Sequence, residues 1–187
     1  MNDLQQTAQD LLRMTDAKLV QFGKDCLGIH IKEQATNARI VHGGLSPCNI
    51  ETFLADRNVL RHPTRLVLGY GEMEPHQFAE PGPDTRDDTG KGRILYLRPV
   101  LGQRSDLIAL AISYMVPVIN YGDAVTDEDC LGYGAALMGM DRETYYGLIC
   151  ELADVVGAEE CLLGESCPSQ PAELDCGCPN RLKSLCA

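Results

Sequence analysis

The chain has 187 residues, 44% of them hydrophobic but only 5% aromatic, with no Trp. At that length one core buries roughly 70% of the unfolded surface, so one domain with an appendage is expected and no cross-link is needed to hold it. The formal net charge of −11 repels nucleic acid and anionic membrane surfaces, and Arg57, Arg61, Arg65 and Arg86 form no basic run, so neither is expected as a partner.

The first residues, Met1 to Gln6, are polar and show no basic stretch leading into an apolar one, so no secretory leader is expected and the cytoplasm is the expected location. Leu4, Ala8, Leu11 and Leu12 recur at helical spacing behind Asn2 or Asp3, predicting an amphipathic helix over 3–14. Thr15 and Asp16 open a second helix to about Phe22, and Gly23 and Gly28 bracket a loop. The alternating Ile29 to Lys32 and Ala38 to Val41 read as two strands joined by a turn at 34–37. Ser46 as N-cap and Pro47 at the first helical position predict a helix to about Leu60.

Further on, 65–69 and 93–100 read as strands, separated by a Gly- and Pro-rich loop over 81–92. Ser105 and Asp106 cap a helix through Met115, and 116–121 reads as a short buried strand. The apolar stretch Leu107 to Val118 is about a dozen residues, too short to cross a bilayer, which needs about 20. Thr126 caps a helix to Met138, and Asp141 caps the last one, Glu143 to Val156. This alternation predicts an α/β or α+β fold over 1–157, a layered sheet with packed helices. Apolar periodicity stops after Gly157, leaving an irregular cysteine-rich tail over 158–187.

Five of the nine cysteines lie in the last 27 residues: Cys161, Cys167, Cys176, Cys178 and Cys186. Four thiolates hold Zn²⁺ or an iron–sulfur cluster, and a bound metal orders a segment with no core of its own. No C-x2-C pair is present, and a strained disulfide between Cys176 and Cys178 is a lesser alternative, as is a tail whose thiols do nothing. The leading expectation is therefore a small metal-binding protein, zinc or iron–sulfur, with a redox or accessory role. Cys161 is the spare thiol, because it stands nearest the preceding helix.

Two further clusters point to an enzyme. If the strand at 65–69 continues, Glu72, Glu74 and His76 project from one face and can hold a divalent ion that activates water. Cys48, near the start of the predicted helix, is placed for a thiolate, with His42 as its base and Gly43 and Gly44 as oxyanion donors. Cys26, Cys130 and Cys150 read as core residues. The remaining alternative is an interaction module that recognises a protein partner and performs no chemistry.

Overall fold

A computed structural model describes residues 15–163, Pro75 excepted. Among these residues, five α-helices and a small mixed sheet form an α+β domain whose core is mainly Leu, Ile, Val and Ala. The helix expected over 3–14 and most of the cysteine-rich tail lie outside the described residues.

Helix α1 runs unbroken over Asp16–His42. It takes the place of the loop expected at 23–28 and of both strands expected between 29 and 41. The reason is the length of the competing patterns. Each alternating stretch is four residues long, whereas Leu27, Ile31, Ala35 and Ala38 keep helical spacing across three turns and turn one side to the core. Gly28 is accommodated against Asp129, 3.3 Å from where a Cβ would stand. Gly43 ends the helix at φ 71°, donating its N–H to the Arg39 carbonyl at 2.8 Å.

Helix α2 spans only Ile50–Ala55, with Asn49 rather than Ser46 at its N-cap. It does not reach Leu60, because Asp56 turns its carboxylate onto the Asn58 N–H at 2.8 Å and closes a local turn. Strands β1 (Thr64–Leu68) and β3 (Arg93–Leu97) run parallel, and β2 (Ala79–Pro83) pairs antiparallel on the far side of β3. β2 occupies part of the segment expected as a loop. Pro81 and Pro83 lie two residues apart, so their missing N–H groups fall on one side of this edge strand. Asp84 N–H donates to the Gly92 carbonyl at 3.0 Å, so the even-numbered residues carry the ladder and the prolines face away from it.

Helix α3 (Ser105–Tyr121) is the central helix, with ten buried residues. It continues through Pro117, where a strand is expected from sequence. Burial on most sides outweighs the one hydrogen bond that the proline removes. With the following turn, Ser105–Ala124 is long and apolar enough to cross a membrane, and 56% of that window is buried inside the protein. Its apolarity is thus accounted for by its place in the core.

Helix α4 (Asp127–Met138) starts at the expected Thr126, whose hydroxyl accepts from the Asp129 N–H at 3.3 Å while the Asp129 carboxylate accepts from the Thr126 N–H at 3.0 Å. Helix α5 (Arg142–Leu163) starts behind Asp141, which accepts from the Thr144 N–H at 2.9 Å, and it continues past Gly157. Fully buried Tyr145 passes Gly134 so closely that a Cβ there would overlap its hydroxyl. That hydroxyl lies 2.8 Å from Ser113 Oγ on α3, joining α3, α4 and α5 at one point.

Candidate functional site

The C-terminal half of α1, the loop over 56–61 and the end of α3 enclose a groove of about 530 Å³. The loop is held at both ends. Asn120, near the end of α3, donates to the Val59 carbonyl at 2.7 Å and accepts from the Arg61 N–H at 3.0 Å. At the other end, Asp56 Oδ1 accepts from the Asn58 backbone and side-chain amides, and Oδ2 lies 3.0 Å from His42 Nε2. The hydrogen bonds from Asn58 and then from His42 hold the Asp56 carboxyl below its ordinary value. His42 also packs edge-on against Phe53, 5.2 Å between ring centres.

This frame fixes Arg61. Its guanidinium lies over the Tyr121 ring at 4.5 Å, with Nη2 3.3 Å from the Tyr121 hydroxyl and 3.5 Å from His30 Nε2. No carboxylate lies within ion-pair distance of Arg61 among the described residues, in contrast to Arg65 on Asp84 and Arg104 on Asp106. Arg57 lines the same groove, with Gln34, Asn37 and Asn58 as neutral donors and acceptors and Ile40, Val41 and Val59 as an apolar wall. Asn120 and Tyr121 also border a second hollow of about 500 Å³ lined by His62 and Arg93. Sequence reading passes over this site because the groups that orient Arg61, namely His30 on α1 and Asn120 and Tyr121 at the end of α3, come from separate elements and only the fold gathers them. The one local signal is the spacing of Arg57 and Arg61.

The sequence-derived sites are placed as follows. Cys48 is exposed in the turn before α2, two residues ahead of the first helical position. No hydrogen bond joins Cys48 to His42, whose ring partner is Asp56. Asn49 instead knits this corner, donating to the His42 and Gly44 carbonyls. β1 ends at Leu68, so the strand premise for Glu72, Glu74 and His76 does not hold. Exposed Glu74 and His76 approach to 3.7 Å, while the Glu72 N–H is taken by the Glu80 carboxylate. The segment between β1 and β2 is held by buried Arg98, which donates to the Gln77 and Glu74 carbonyls and lies 5.1 Å from the Tyr70 ring.

Among the described residues, no three His, Cys, Asp or Glu side chains gather closely enough to hold a metal ion. The backbone of Cys161 lies in α5, and Cys167, Cys176, Cys178 and Cys186 are outside the described residues. Of the three cysteines read as core, only Cys130 is buried, and burial pushes its thiol up to about 12. Cys26 and Cys150 are exposed. Ile149 and Leu152 do face the core, and Cys150 lies one helical step, about 100°, away from Ile149.

Fold and groove together define an α+β domain with a cleft at a helix–loop junction, lined by Arg57 and Arg61 and, at its far end, by the His42-bound Asp56. No family model, curated protein or solved structure matches the chain.

Proposed function

We propose that the folded domain binds a small organic anion, a carboxylate or a phosphate ester, with Arg61 as its anchor. One observation carries this reading: Arg61 is oriented by an aromatic ring, a hydroxyl and its own backbone, and among the described residues no carboxylate occupies its remaining donors. A guanidinium fork matches the oxygens of such anions, and pre-orientation lowers the entropy lost on binding. Arg57 supplies a second positive charge, His30 a further ring nitrogen, and the Ile40–Val41 side a surface for the ligand's carbon skeleton. In a chain of net charge −11 an anion is otherwise repelled, so local cations are a requirement.

Titration calorimetry of the full chain with inorganic phosphate and with citrate tests this. Arg61→Gln is expected to weaken binding about tenfold or more, in line with loss of a charged hydrogen bond. Arg104→Gln, which breaks only an exposed pair with Asp106, is expected to leave it unchanged. No binding of either anion, or equal binding by the Arg61 variant, removes the reading.

A second reading rests on the five cysteines in the last 27 residues. It assigns zinc or an iron–sulfur cluster to Cys167, Cys176, Cys178 and Cys186, in a reducing cytoplasm, with Cys161 spare. The support is the thiol count and the helical position of the Cys161 backbone. Elemental analysis of protein purified anaerobically under reducing conditions is expected to give about one zinc, or iron with acid-labile sulfide, per chain. Absence of both metals sinks it.

A further inference from the structure

Residues 15–26, the first three turns of α1, are exposed at every position, including Leu19, Val20 and Phe22. An isolated helix of this length is marginal in water, and Gly23 weakens it by about a further 1 kcal/mol relative to Ala. Leu19, Phe22, Cys26 and Ile29 follow one another at spacings of three, four and three, the seam of a two-helix coil. Val20, about 100° round the helix from Leu19, lies off that seam. Lys18 and Asp25 each stand one residue before a seam position, on the same flank.

We infer that this segment is a self-association surface, pairing antiparallel with the same segment of a second copy about a two-fold axis between residues 20 and 21. The charges choose this arrangement. In that register Leu19 meets Phe22 of the second copy, Lys18 meets Asp25 of the second copy, and symmetry makes each contact twice. Sliding the axis by half a heptad sets Asp25 on Asp25 and Lys18 on Lys32, which are like charges. A parallel pair sets Lys18 beside Gly23 and makes no acid–base contact of Lys18 at all. The axis bisects the all-exposed stretch 15–26, so the domain bodies, which begin at about residue 27, lie at opposite ends of the contact. Within one chain Lys18 and Asp25 are seven residues apart, roughly 10.5 Å along the helix, and cannot pair with each other.

The contact is short and belongs with small, concentration-dependent interfaces. Equilibrium sedimentation of the full chain in reducing buffer reads it directly. The wild type is expected to show a monomer–dimer equilibrium, and Phe22→Glu to be monomeric with unchanged helical circular dichroism beyond the first turns. Lys18→Glu and Asp25→Lys are each expected to weaken the dimer about five- to tenfold, since two attractive pairs become repulsive. The double variant restores both pairs and is expected to return to within about threefold of wild type. A strictly monomeric wild type, a dimer that survives Phe22→Glu, or a double variant weaker than both singles overturns the inference. The groove and its ligand play no part in this test.

Discussion

The two halves of helix α1 have the same backbone and opposite environments. Residues 27–42 set Leu27, Ile31, Ala35 and Ala38 against the core and give His30, Gln34 and Asn37 to the groove. Residues 15–26 are exposed at every position. Helical φ and ψ are thus secured by tertiary packing in one half, while the other depends on propensity and on whatever covers it. The contrast also separates the two proposed activities by position: ligand chemistry where the helix is packed, association where it is exposed.

Substitutions sharpen that contrast. The largest effect is expected from Ile31→Ala, which empties a fully buried site in the packed half and should cost roughly 2–5 kcal/mol by denaturant unfolding. Val20→Ala, in the exposed half and off the seam, should change stability by less than about 0.5 kcal/mol. A comparable loss from both erases the distinction. Gly139→Ala comes next. It combines a left-handed backbone with an overlap onto the Arg39 side chain from the packed half, and should cost about 1–2 kcal/mol.

A smaller effect is expected at the groove frame. The carboxyl of Asp56 is held below its ordinary value of 3.8, so its contribution is present above that pH and is lost as pH falls through the folded value. Asp56→Asn should therefore be about 1 kcal/mol less stable than wild type at neutral pH, with the gap closing below about pH 4. A gap that persists unchanged to pH 2 would place its origin in packing. The smallest perturbation is chemical labelling. At pH 8, and at a protein concentration low enough to keep the chain monomeric, exposed Cys26 should alkylate readily while Cys130, with its thiol raised to about 12, stays unmodified in the folded protein.

Where sequence predicted structure well, the signal was local. Thr126 and Asp141 mark helix starts through their own side-chain bonds, and the apolar runs at 66–68 and 94–97 became the two parallel strands. Where it misled, a short pattern competed with a long one. Ile29 to Lys32 alternates like a strand, but a partner surface on α4 rewards the helical period instead. Pro81 and Pro83 suggest a loop until the parity of an edge strand removes their cost. The groove was illegible for a different reason. Arg61 owes its orientation to Tyr121 and Asn120, about sixty residues away, and no spacing rule connects them. His42 and Cys48 are close in sequence, yet Asp56 is the partner the fold supplies.

The proposed ligand chemistry belongs to the packed half of α1 and its neighbours. Amide and side-chain NMR of the full chain titrated with inorganic phosphate tests it most directly. Shifts are expected to concentrate at His30, Arg57, Arg61, Asn120 and Tyr121 and to be lost in Arg61→Gln, with residues 15–26 unaffected at constant protein concentration. Shifts spread over the surface lysines, or centred on residues 15–26, would contradict it.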